Sequence, residues 1–327
     1  MEQAEKLKQI SVKKQVAKKK SLLIKIKENK ALLLMLLPGA LWLLIFCYLP
    51  MFGVIIAFKD YRISPDGFFS SLYNSPWVGW ENFRFLFASQ DAWVITRNTV
   101  LYNVAGIILS TIMTVTFAII LSQISSKKFI KRLQTVVIFP NFLSWVVISY
   151  FAYAFLSTDK GVLNSILQSF NLDAVNWYSE PKYWPFIIVF TSLWKGVGYG
   201  SIIYYASIMG IDSTYYEAAL VDGATKWQQI KYVTLPHLRS IIVIMLILSV
   251  GSIFRADFGL FYQLPRNSGA LTSVTNVLDT YVYRSMMNNG DIGMSTAAGL
   301  YQSFVGFILI LFTNKVVNKI DPSSALF

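Results

Sequence analysis

Charge is scarce along much of this sequence, so ionised side chains among apolar neighbours mark where chemistry would be done. Lys195 lies inside SLWKGVGYGS (192 to 201), and Arg255 and Asp257 interrupt a run that is otherwise mainly apolar from 240 to 262. A charge at the centre of a bilayer costs roughly 3 kcal/mol on insertion scales, so each must face a bundle interior, a cavity or a partner. Two readings stand for all three: pairing across a helix interface, or direct contact with a substrate or gate. Trp194, Tyr199, Tyr204, Tyr205, Phe258 and Tyr262 share the same two runs. Flat rings beside polar groups suit stacking on a sugar, and they suit core or lipid packing equally. The candidate path residues are therefore Trp194, Lys195, Tyr199, Tyr204, Arg255, Asp257 and Phe258.

Bond-making chemistry has little to work with. The chain has one histidine, His237, and one cysteine, Cys47, which excludes a disulfide framework and speaks against a Cys/His metal site. Cys47 sits in an apolar run and reads as a small hydrophobic filler. GVGYGS (196 to 201) has no lysine after its glycines, so it is no phosphate loop, and no HExxH or nucleophile-elbow pattern occurs. The expectation is a non-catalytic chain with no cofactor or metal of its own.

A third group lies in EAALVDGATKWQQIKYVTLPHL, residues 217 to 238. Its local chemistry predicts a helix–turn–helix. Thr214 with Glu217 fits one capping box and Thr225 with Gln228 a second. Gly223 between them permits a sharp turn, and Ala218 and Ala219 keep the first helix thin enough to enter a groove. Asp222 precedes the hinge, where a helix C-terminus disfavours a carboxylate, so a partner or exposure must explain it. Leu235-Pro236 is expected to redirect the chain into the next apolar run, with proline tolerated at a helix start. The competing reading is an ordinary amphipathic connector on a membrane surface.

The elements that must position these groups are membrane helices. The chain has 327 residues, 55% hydrophobic and 14% charged, with mean hydropathy +0.50, far from a soluble globular domain. A span needs about 20 mainly apolar residues, and six are expected: 31–58, 98–124, 133–157, 183–209, 240–262 and 292–314. The runs are long and continuous, as helices require, rather than short alternations as in a barrel. The first is too long for a secretory signal and reads as an anchor that stays. Ten of the 29 Lys/Arg lie in residues 1 to 30. With the N-terminus inside, segments expected in the cytoplasm hold 19 basic residues against 7 outside, so both termini are expected inside. The domain reading is a Lys-rich tail at 1–30, a six-span body at 31–314 containing a cytoplasmic loop at 210–239, and a short tail at 315–327.

The net charge of +12 does not point to nucleic acid, because so much of it lies in the N-terminal tract. That tract reads as a topogenic tail touching anionic lipid, or as a docking segment. The Trp-rich stretch SPWVGWENFRFLF (75 to 87) suits either an interfacial belt or a face for an extracellular partner.

The loop residues carry a resemblance. Glu217-Ala218-Ala219, Gly223, Val233 and Leu235-Pro236 resemble the E-A-A…G…I-x-L-P loop of binding-protein-dependent ABC importer permeases, with valine in place of isoleucine. The resemblance implies the all-α, six-span type I ABC importer permease fold, with this helix–turn–helix as the element that docks on a separate ATPase. Glu217 would face a basic residue of that ATPase, and Gly223 would set the angle between the two helices. The implied partners are a second six-span permease, an ATPase dimer that binds ATP and Mg2+, an extracellular solute-binding protein, membrane lipid and a transported solute. SPWVGWENFRFLF, the stretch 192 to 230 and DFGLFYQL (257 to 264) resemble the carbohydrate-uptake branch, and its complex-saccharide and oligosaccharide permeases in particular, which implies a saccharide substrate, expected to be an oligosaccharide. Alternatives are an ABC permease for peptides or amino acids, or an ion-coupled secondary transporter, for which Asp257 alone is thin support.

Overall fold

A computed structural model describes residues 28–88, 90–322 and 325–326, so the Lys-rich tail expected at 1–30 lies almost wholly outside the described residues. Among these residues the fold is helical, and extended backbone pairs only at the bridge between Lys59 and Trp77. The chain divides at Ile56. Before that point lies most of the first span, Lys30–Phe58, which carries no charge from residue 31 to 58. A helix that is apolar on every face needs lipid or protein around it.

After Ile56 four straight spans follow: Asp91–Ser122, Pro181–Met209, Lys226–Gly251 and Ile292–Ile320. Span three, expected as one helix over 133–157, is instead two limbs, Lys127–Phe142 and Trp145–Leu156, meeting at 99°. Pro140 tightens the end of the first limb, Leu143 is extended, and the Ser144 hydroxyl accepts from Val147 N–H to start the second limb afresh. This is a broken helix with its own second N-cap, the kind of break a membrane tolerates only where protein satisfies the freed backbone groups.

Span five also departs from expectation. It begins at Lys226, well before position 240, and ends at Gly251, short of 262. Pro236 does not redirect the chain. A wide π turn, Ile230–Thr234, directly precedes it within the continuous run, and such local widening absorbs the missing N–H. Hydropathy tracks contact with lipid rather than helicity, so the polar start of this helix reads as loop. Beyond Gly251 the chain turns, and a separate short helix, Phe258–Gln263, begins at Asp257.

Spans two and four form the most extensive helix pair. Gly198 lets span four meet the first limb of span three backbone to backbone: a Cβ there would collide with the Val137 carbonyl oxygen. One buried cluster, at the loop end, joins Val115, Ala118, Tyr204, Ile208 and Leu238. Another, at the opposite end, gathers Trp184, Ile188, Leu260, Phe261 and Leu264.

Candidate functional site

The helix–turn–helix forms, but its first cap differs from expectation. The helix Ser213–Val221 is capped by Asp212, whose carboxylate accepts Thr214 N–H at 3.0 Å. Aspartate outranks threonine as an N-cap, so Thr214 lies inside the helix and Glu217 has no capping role. Glu217 is exposed, and among the described residues neither Glu217 nor Asp222 takes part in an ion pair. The second box is as expected: Thr225 N–H donates to Gln228 Oε1 at 2.7 Å, and Gln228 N–H to Thr225 Oγ1 at 3.3 Å.

The turn between the helices is a Schellman closure. Gly223 takes φ +74°, Ala224 N–H donates to the Ala219 carbonyl at 2.8 Å, and Gly223 N–H donates to Leu220 at 3.0 Å. The two helices are also tied side by side. Tyr216 and Thr234 hydroxyls meet at 3.0 Å and the Tyr215 and His237 rings lie 5.0 Å apart, while within the second helix His237 Nδ1–H donates to Val233 O at 2.7 Å. None of Asp212, Tyr216 or Thr234 was singled out from sequence. Asp212 was findable as an N-cap candidate; the other two depend on the fold. Leu220 and Val221, one turn after Glu217 on the first helix, are exposed, as is Trp227 on the second. Leu235 and Pro236 are exposed too, and Ala219 is half-buried.

The cap has a testable electrostatic signature. Its backbone hydrogen bond from Thr214 holds the Asp212 carboxyl below its ordinary value. A depressed value means the cap contributes above the unfolded value of about 3.9 and is lost as pH falls through the depressed one. The cap is therefore expected to be fully in place at neutral pH. Asp212→Ala should accelerate amide hydrogen exchange in the first turn at neutral pH, whereas Asp212→Asn should not. Equal protection in all three proteins would remove Asp212 from this role.

Within the bundle, Lys195 meets backbone. Its Nζ donates to the carbonyls of Leu143 at 2.6 Å, Asn141 at 2.9 Å and Pro140 at 3.4 Å, and lies 5.3 Å from the Trp145 ring centroid. A lysine thus serves the carbonyls freed where span three breaks, as cations do at helix C-termini. Trp145 Nε1–H donates to Asp257 Oδ2 at 2.8 Å, and Asp257 caps the short helix by accepting Leu260 N–H at 3.3 Å. Lys195 and Asp257 are therefore linked through Trp145 rather than directly. Arg255 is exposed beyond the end of span five and donates to Ser303 Oγ at 3.1 Å. Asp279, which sequence did not flag, accepts Ala256 N–H at 2.8 Å and Gln302 Nε2–H at 3.2 Å, and burial holds its carboxyl above its ordinary value.

The remaining candidates separate. Phe258 stacks on Tyr262 at 4.9 Å and meets Tyr283 at 4.6 Å. Trp194 lines an apolar cavity with Phe151, Phe155 and Phe190, away from the polar groups. Tyr199 and Tyr204 line a cavity of about 680 Å3 between spans two, four and five, although Tyr204 is only 4% exposed and belongs to the core. Asp257 lines an adjoining cavity of about 240 Å3, and Ser110, Ser192 and Ser249 border both. Sequence reading missed this hydroxyl seam. Its signal was present as isolated serines and threonines in apolar runs, but their shared facing needs the packed bundle.

A family pattern described as "Binding-protein-dependent transport system inner membrane component" matches residues 114–322. Protein LplB of Bacillus subtilis (strain 168) is 34% identical over 296 residues, spanning 90% of this chain and 91% of that protein. The polygalacturonan/rhamnogalacturonan transport system permease protein YteP of the same organism is 32% identical, spanning 92% of each. A chain in the crystal structure of a bacterial alginate ABC transporter, in complex with an alginate pentasaccharide-bound periplasmic protein, superposes with TM-score 0.81 at 32% identity, covering 91% of this chain and 98% of that one.

Proposed function

The chain belongs to the family of binding-protein-dependent transport system inner membrane components, and on that premise we propose that it is a permease subunit of an ATP-driven saccharide importer. The observation that carries this is the helix–turn–helix: a braced loop, continuous with span five, presenting exposed apolar side chains and a carboxylate that is unpaired among the described residues. Exposed leucine, valine and tryptophan beside a carboxylate are what a protein partner covers. The loop docks on a cytoplasmic ATPase that binds ATP and Mg2+. A second six-span permease completes the path, and an extracellular binding protein delivers the sugar. Both termini lie in the cytoplasm. The hydroxyl seam between spans two, four and five offers the hydrogen-bonding groups that a saccharide needs.

Energy enters through differential docking. ATP closure of the ATPase dimer shifts the bundle only because the loop contacts the two states unequally. Because the loop's second helix is the start of span five, a rotation imposed on the loop is delivered to that span without an intervening hinge. Spans two and six pack against span five and share in the movement.

Isolation of the tagged chain from its native membrane is expected to bring an ATPase and a second permease with it. Vesicles holding that complex and its binding protein should accumulate labelled oligosaccharide only with ATP. A stable chain that isolates alone and transports without ATP would overturn the reading in favour of a secondary transporter.

A further inference from the structure

At the end of the bundle away from the loop, two consecutive non-glycine residues take left-handed backbone. Arg266 has φ +54° and Asn267 φ +51°. Asparagine tolerates this region; arginine does so less readily, and such strain persists only where the surroundings enforce it. Here they do. Arg266 N–H donates to Gln263 O at 3.0 Å, Asn267 N–H to Tyr262 O at 3.1 Å and Ser268 N–H to Pro265 O at 3.1 Å. Arg284 Nε–H donates to Asn267 Oδ1 at 2.9 Å, and Ser268 Oγ–H donates to the Tyr178 carbonyl at 3.0 Å.

The guanidinium of the exposed residue Arg266 sits over two tyrosine rings. It lies 4.1 Å from the Tyr153 ring centroid and 5.8 Å from that of Tyr150, and among the described residues no carboxylate pairs with it. A guanidinium laid on a ring keeps its in-plane N–H donors free for a bidentate partner. It walls a cavity of about 560 Å3 with Tyr153, Thr158, Asp159, Lys160 and Tyr178, within the roughly 300–1,000 Å3 of small-molecule sites. The Tyr178 hydroxyl is buried without a hydrogen-bond partner among the described residues, and burial pushes its pKa up to about 12, so it remains a donor at neutral pH.

The charges lining this cavity are two cations, Lys160 and Arg266, against one carboxylate, Asp159. A neutral sugar would use the rings and hydroxyls but leave the guanidinium unanswered. We infer that this outer cavity receives a uronate unit of the arriving saccharide, its carboxylate held by Arg266 and its ring set against the tyrosines. The inference rests on the saccharide-import reading and names the substrate's acidic class.

Binding is measured on the full chain, in its complex, in lipid nanodiscs, with trigalacturonate and with its neutral, carboxyl-reduced trisaccharide as probes. Trigalacturonate is expected to bind at least about tenfold more tightly than the neutral probe, as one charge-assisted pair allows, with the preference shrinking in high salt. Arg266→Asn keeps a residue suited to left-handed backbone and should erase that preference, while Arg266→Lys retains part of it. Lys160→Gln, on untouched backbone, should weaken only the acidic probe. Equal binding of the two probes, no binding of either, or a preference surviving in Arg266→Asn would each overturn the inference. ATP-driven uptake of neutral oligosaccharide by the same complex would in those cases leave the import reading standing; loss of all ATP-driven uptake despite an intact acidic preference would fault that reading and not the cavity.

Discussion

Gly223→Val is expected to reduce ATP-driven uptake by more than about tenfold while the protein still inserts and keeps its bundle. Gly223 sits at φ +74°, and a Cβ built there meets nothing within 4 Å. The penalty is therefore backbone strain, about 1–2 kcal/mol for an ordinary side chain and more for a β-branched one. The cheapest relief is to open the Schellman turn, giving up the bonds from Ala224 to Ala219 and from Gly223 to Leu220. The angle between the two loop helices then changes, and with it the placement of Glu217 and Leu220 relative to Trp227. A graded series separates turn geometry from crowding against the ATPase. If geometry governs, Gly223→Asn should transport best, Gly223→Ala less well and Gly223→Val worst, because asparagine tolerates left-handed backbone. If crowding governs, the small alanine should outperform asparagine. Wild-type uptake by the valine variant would end the case for Gly223 as the element that sets the loop.

What sequence made legible follows the range of the interactions involved. Gly223 and the Thr225–Gln228 box are local, so their residue types announce their geometry. The Thr214–Glu217 box failed for a local reason too: Asp212, two positions earlier, is the better cap and moves the helix start. Six apolar segments were visible because lipid contact is written into composition. Their boundaries were not, since the polar first turns of span five are helix without being apolar. The break in span three went unread: Pro140 and Ser144 are its local signals, but neither fixes an angle. Lys195 was legible as costly but not as to partner, because carbonyls of residues 140, 141 and 143 carry no sequence signature. The same limit hid the Trp145–Asp257 bond and the hydroxyl seam, which join residues distant in the chain.

Lys195→Met should impair the protein through its structure rather than through substrate affinity. Two opposing terms decide the sign. Methionine removes an insertion cost of roughly 3 kcal/mol for a charge near mid-bilayer. It also removes charge-assisted hydrogen bonds to Leu143 and Asn141, each worth about 1.5–3 kcal/mol, and leaves their carbonyls without that donor. The Pro140 carbonyl loses less, since it also accepts Leu143 N–H at 3.1 Å. Two short bonds, about 3–6 kcal/mol together, stand against an insertion term of about 3, so the balance favours destabilisation by up to about 3 kcal/mol, concentrated at the 99° break. Trp145 would lose its cation partner, and the Trp145–Asp257 bond that ties the second limb to the helix after span five would loosen. The expected pattern is a lowered unfolding temperature and a lowered maximal uptake rate, with the half-saturating sugar concentration little changed. Lys195→Arg, which keeps donors and charge, should recover part of both. A residue that grips the sugar would behave in the opposite way: methionine would leave the unfolding temperature unchanged and raise the half-saturating concentration. That result would return Lys195 to the translocation path and leave the break in span three needing another stabiliser.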